Sequence, residues 1–203
     1  MFNFKHFLAR LALAAAMIGA GGQAAATPIY HVDIDTTTLG SGPAFLDLYF
    51  LGLAGAPAAT ATVTHIAGAL AGAADLTGAV TGAPSGPYLF SNANGGGELV
   101  QAIQLGGKFS FDVTFLLNPG DIGTTFGWAL FDATHYLGVD GDLGHLFLTP
   151  GAAIGDQIAV DNAAPQLSGV TAIPEPSTAA LMLVAMLAMV GSRGCGARRV
   201  RSS

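Results

Sequence analysis

The sequence predicts an all-β protein whose body is an antiparallel β-sandwich of jelly-roll type, and three observations carry that expectation. Short apolar and β-branched runs punctuated by Gly, Pro, Asn and Asp recur along the body of the 203-residue chain, the pattern of strands joined by turns. Phe109, Phe111, Val113 and Phe115 alternate with Ser110, Asp112 and Thr114, which puts four large side chains on one face of a strand. Runs with one apolar face each must cover one another, so two packed sheets are expected.

Strands are expected, in order, at residues 29–35, 45–51, 59–66, 76–80, 88–90, 99–103, 108–117, 125–132, 143–148 and 157–160. In the first, Asp33 and Asp35 stand two apart and so share a face. The stretch 52–86 is heavy in Gly and Ala and at first sight is low-complexity filler. Yet Thr60, Thr62 and Thr64 alternate with Ala61, Val63 and His65 as a half-exposed strand would, so it is read as folded. In 125–132, Phe126, Trp128 and Leu130 point one way, with Gly127 and Ala129 on the opposite face. This segment and 108–117, joined through Asn118-Pro119-Gly120, are expected to pair as an antiparallel hairpin.

The two ends have a different character. Lys5, His6 and Arg10 precede the apolar run 11–18, and Ala24-Ala25-Ala26 puts small residues before Thr27. That is a secretory signal peptide over 1–26, with Ala24, Ala26 and Thr27 marking the cleavage site. No cysteine lies near that point, which argues against lipoprotein acylation. At the other end Pro174-Glu175-Pro176 is followed by an uncharged window and a tail carrying Arg193, Arg198, Arg199 and Arg201. The window, 177–192, is 16 residues, roughly 24 Å as a helix, just short of a hydrocarbon core of about 30 Å. The two prolines keep the preceding segment extended, and the arginines hold the exit on the cytoplasmic side. A plain membrane anchor is the competing interpretation; the terminal arginines argue against a GPI-anchor signal.

These three parts, in this order, resemble the PEP-CTERM sorting signal of bacterial exported proteins, over residues 174–203. The resemblance implies that an exosortase, an integral-membrane cysteine transpeptidase, recognises the tail, removes the short transmembrane helix and releases the body or attaches it to the cell surface. It also implies that the catalytic cysteine is the exosortase's, so Cys195 is no nucleophile here. The body is similar to a recurring group of PEP-CTERM proteins with a small β-rich domain, through His31-Val32-Asp33-Ile34-Asp35-Thr36-Thr37, Ala59-Thr60-Ala61-Thr62-Val63 and Ala129-Leu130-Phe131-Asp132-Ala133. That group has no established activity to lend.

Between the ends, residues 27–173 make one domain's worth of chain. They hold 12 acidic residues against Lys108 alone, a net charge of −11 compared with −6 for the whole chain. Such a body is repelled by nucleic acid and anionic lipid, which sets nucleic-acid binding aside. The single cysteine, Cys195, lies in the tail, so the body has no disulfide and relies on apolar burial.

The search for chemistry gives no assembled site. Asp140-Gly141-Asp142 lies in a Gly-rich loop able to offer side-chain and carbonyl oxygens to calcium, but the spacing is not that of an EF-hand, and solvated turn carboxylates are the plainer interpretation. No cofactor beyond such a structural calcium is expected. His31, His65, His135 and His145 show no HxH or HExxH spacing, and no G-x-S-x-G or phosphate loop is present. Tyr30, Tyr49, Tyr88, Tyr136 and Trp128 are candidates for stacking on sugar rings; of these, only Tyr88 and Tyr136 are expected in loops, and Trp128 is expected in the core.

The expected function is therefore a non-enzymatic exported cell-surface or extracellular-matrix protein, with no catalytic residues. Its partners would be the general secretion machinery, an exosortase, the inner membrane before processing, and exopolysaccharide. A calcium-dependent carbohydrate-binding module and a secreted hydrolase are the alternatives.

Overall fold

Alternation of buried and outward-facing residues runs through half of the strands. In β1 (Ile29–Asp35) Tyr30, Val32 and Ile34 are buried while His31, Asp33 and Asp35 face the other way. In β2 (Pro43–Gly52) Leu46, Leu48 and Phe50 are buried, which turns Asp47 and Tyr49 outward. The remaining strands are β3 (Ala59–Ala67), β4 (Asp75–Gly78), β5 (Val80–Thr81), β6 (Tyr88–Ser91), β7 (Gly96–Gln104), β8 (Lys108–Leu117), β9 (Thr124–Phe131), β10 (Asp142–Leu148), β11 (Ile158–Asn162) and β12 (Ser168–Ile173). The computed structural model describes residues 28–83, 86–153 and 155–173. The expected signal peptide and its cleavage site, and the sorting signal with Pro174, Glu175, Pro176 and the tail arginines, lie outside the described residues.

The strands form two six-stranded sheets, ordered β12-β1-β8-β3-β6-β5 and β11-β10-β9-β2-β7-β4, with antiparallel neighbours throughout. Residues Thr27–Ile173 make one compact unit, and the protein is all-β, a sandwich of two sheets. Among the described residues the sole helical element is a 3-10 turn, Ala93–Gly95. The inner faces share one core, with Val32, Ile34, Phe111 and Val113 from the first sheet against Leu46, Leu48, Phe126 and Trp128 from the second.

The expected hairpin of 108–117 with 125–132 is wrong. The two segments are β8 and β9, and they lie in opposite sheets. Each carries a row of aromatic residues, and those rows meet across the core: Phe111 stands 6.1 Å from Phe126 and 6.3 Å from Trp128, and Phe115 5.9 Å from Phe126. Burying both rows needs face-to-face packing, which edge pairing within one sheet would not give.

The expected strand 76–80 divides. Gly78, with φ of +73°, takes a left-handed conformation open to glycine. There the chain leaves β4, paired with β7 in one sheet, and starts β5, paired with β6 in the other. Strand β12 was not anticipated; it covers the edge of β1, and its Ser168 accepts the Trp128 indole N–H at 2.9 Å.

Candidate functional site

The outer face of the second sheet gathers a connected set of polar side chains. Strands β2, β9 and β10 are adjacent, so Tyr49 stands opposite Gly127 and Gly127 opposite His145, while one step along Asp47 and Asp142 flank Ala129. A shift in pairing between Asp142 and Gly144 is what brings Asp142 and His145, three residues apart, to the same face, where strict alternation would separate them. Gly127 is the floor: a Cβ there would overlap the Tyr49 ring, and its absence lets the phenol lie flat on the sheet. Tyr49 donates its hydroxyl proton to Asp142 Oδ2 at 2.8 Å, and His145 Nε2 lies 2.8 Å from the same oxygen. Burial first, then the bond to Asp142, raise the Tyr49 phenol above its ordinary pKa.

Asp47 sits beside this group. Burial, reinforced by the charges of Glu98 and Asp142, pushes its carboxyl up to about 7. Its buried Oδ1 finds no donor, which leaves the ionised form without compensation. Protonated, Asp47 avoids that cost and the repulsion from Glu98 on the adjacent β7.

Aromatic side chains extend the face on either side. Phe45 stacks on Phe131 with centroids 5.2 Å apart, Tyr136 meets Phe131 edge-on at 6.5 Å, and His145 stacks on Phe147 at 5.3 Å. Tyr136 is presented by a tight turn: Asp132 Oδ1 accepts from the Thr134 and His135 amides at 2.7 and 3.0 Å, and the Leu137 amide returns to the Leu130 carbonyl. Tyr136 and Phe147 remain 48 % and 42 % exposed, so this is an accessible surface.

A second cluster occupies the outer face of the first sheet. His31 and Asp112 are directly opposite on β1 and β8, with Nδ1 2.6 Å from Oδ1; His65 Nδ1 lies 2.8 Å from the other oxygen, Oδ2. Burial opposes ionisation of Asp112, but the bonds with His31 and His65 outweigh it and hold the carboxyl below its ordinary pKa. The bond to Asp112 is also the largest cause raising the His31 imidazole.

Of the calcium candidates, Asp142 begins β10 with one oxygen shared by Tyr49 and His145, and Asp140 is exposed in the preceding turn. Among the described residues no three His, Cys, Asp or Glu side chains converge as a metal centre. Asp33 and Asp35 share a face but not a partner: Asp33 approaches His31, whereas Asp35 accepts from Thr37 and pairs with Lys108 at 3.3 Å. Folding joins His31 to His65 and leaves His135 and His145 elsewhere. Tyr88 begins β6 and, like Tyr30 and Trp128, is buried; Tyr49 and Tyr136 remain from the expected stacking set. Asp47 and Glu98 were missed, although the alternation of Asp47 and Tyr49 with Leu46, Leu48 and Phe50 contained the signal that they share the outer face. No protein-family model, curated protein or solved structure matches this chain.

Proposed function

We propose that this chain is a non-enzymatic exported surface or matrix protein, delivered through its carboxyl-terminal sorting signal by an exosortase, whose jelly-roll body binds exopolysaccharide on the outer face of the second sheet. The strand order supports the jelly roll: β1 lies beside β8, β2 beside β7 and β3 beside β6, the nested pairing of an antiparallel ribbon rolled across two sheets. The observation that carries the binding function is the accessible strip of Phe45, Phe131 and Tyr136 on one side of Asp47 and Asp142, with Tyr49, His145 and Phe147 on the other. Aromatic faces stack on the apolar faces of sugar rings while carboxylates and phenols take their hydroxyls.

The test is retention of the full chain on exopolysaccharide from its native host, alongside Tyr136→Ala. Losing one stacking partner should weaken binding by about 0.5–1.5 kcal/mol, or about two- to tenfold. Unchanged retention would rule out this face. Peptide mapping of the mature carboxyl terminus tests the sorting step separately: an end near residues 174–177 supports processing, and an intact Ser203 in the inner membrane refutes it.

A further inference from the structure

We propose that His31 and Asp33, on the outer face of the first sheet, form an exchange-labile site for a divalent transition-metal ion of the zinc and copper class, with Asp112 orienting the imidazole. The two ligands stand two apart on β1, turned outward because Tyr30, Val32 and Ile34 between and beside them are buried. His31 Nε2 lies 3.3 Å from Asp33 Oδ1. That is long for a charge-assisted hydrogen bond, about 2.7–2.9 Å, and is the edge of a tetrahedron with bonds of about 2.0 Å, the length of zinc–imidazole and zinc–carboxylate bonds.

The other ring nitrogen fixes the tautomer. Asp112 Oδ1, 2.6 Å from His31 Nδ1, accepts the proton on that nitrogen, so Nε2, the nitrogen nearer Asp33, is the one a metal would take in exchange for its proton. A carboxylate behind a ligating histidine is the usual support of a protein-bound metal. Asp112 is itself steadied by His65 on its second oxygen. His65 reaches it from the register shift in β3 with φ of +53°, a backbone conformation that residues other than glycine seldom adopt. The groups facing His31 are Asp33 on its own strand, Asp112 and beyond it His65, and the uncharged Thr171 across from β12. Lys108, the sole Lys or Arg of residues 27–173, is paired with Asp35 instead. Imidazole with carboxylate suits borderline ions such as zinc and copper over calcium. Two protein ligands leave two positions for water or an external donor.

Addition of Zn2+ alone to the full chain, followed by imidazole 1H–15N spectra, tests the site. The His31 resonances should shift saturably, while those of His135 and His145 stay in place and Ca2+ alone moves none of the three. Asp33→Asn should abolish the response; its side chain is 66 % exposed, so the change leaves the fold intact even where His31→Gln does not. Asp112→Asn should weaken binding by about 10–100-fold. No saturable shift at millimolar Zn2+, or a His31 response that survives Asp33→Asn, overturns the proposal.

Discussion

Replacing Asp47 by Asn should stabilise the protein at neutral and alkaline pH and do little in acid. The folded state raises the Asp47 carboxyl from an ordinary 3.8 to about 7, so the native protein holds this proton more tightly than the unfolded chain does. A raised acid contributes stability that is complete below the unfolded pKa and is lost as pH climbs through the folded one. Stability is therefore withdrawn between 3.8 and about 7. Undiscounted, that interval corresponds to roughly 4 kcal/mol. Asp47 is only partly buried, and solvent screening reduces the expected penalty to about 1–2 kcal/mol. The amide keeps the shape and carries no charge. Urea denaturation of Asp47→Asn and the parent should show a gain of about 1–2 kcal/mol near pH 8 that shrinks toward zero near pH 4. Asp35, Asp112 and Asp132, whose carboxyls are held below their ordinary values, lose stability in acid. They do so in both proteins and cancel in the difference. A variant no more stable than the parent near pH 8, or equally more stable at both pH values, would refute the argument.

Two further substitutions probe how the polar outer face of the second sheet and its support are built. Gly127→Ala should displace the Tyr49 ring and its bond to Asp142, costing about 1–3 kcal/mol by chemical denaturation, and the same change in a Tyr49→Ala background should cost little because the clash is gone. Asn92 accepts from the Ala59 amide at 3.0 Å and donates to the Pro57 carbonyl at 2.8 Å and to Thr124 Oγ1 at 3.0 Å. Asn92→Asp keeps the acceptor but sets a charge against that carbonyl, so it should cost about 2–4 kcal/mol, no less than Asn92→Ala; a milder effect in the same assay would mean the two donated bonds contribute little.

Where the chain alternates strictly, the strands were legible: β1, β3 and β8 fall where Tyr30-Val32-Ile34, Ala61-Val63 and Phe109-Phe111-Val113-Phe115 place them. What alternation does not encode is the partner of each strand. The Phe rows of β8 and β9 imply that both are half-buried, and that is equally true of neighbours in one sheet and of strands facing each other across a core. Connection length did not decide it either, because Asn118-Pro119-Gly120 suits a hairpin turn as well as a crossover between sheets. β12 was invisible because the run 168–173 has little apolar alternation; it is strand by virtue of the β1 edge it covers.

The same limit governs the two polar faces. Sequence alone could place Asp47 with Tyr49 on one side of β2, and His31 with Asp33 on one side of β1, since residues two apart on a strand must share a face. It could not bring Glu98, Asp142 and His145 to the first pair, or Asp112 and His65 to the second, because each arrives by long-range pairing and two of them through irregular register. Those irregularities matter chemically. Without the shift between Asp142 and Gly144, His145 and Asp142 would sit on opposite faces, Tyr49 would share its acceptor with no imidazole, and the aromatic strip would lack its His145–Phe147 half. Without the shift in β3, His65 would not hold the second oxygen of Asp112. Each face is thus a regular strand pair supplied by the local sequence and completed by one bulge, and the bulges are where changes that spare the core should alter the binding proposed for each face.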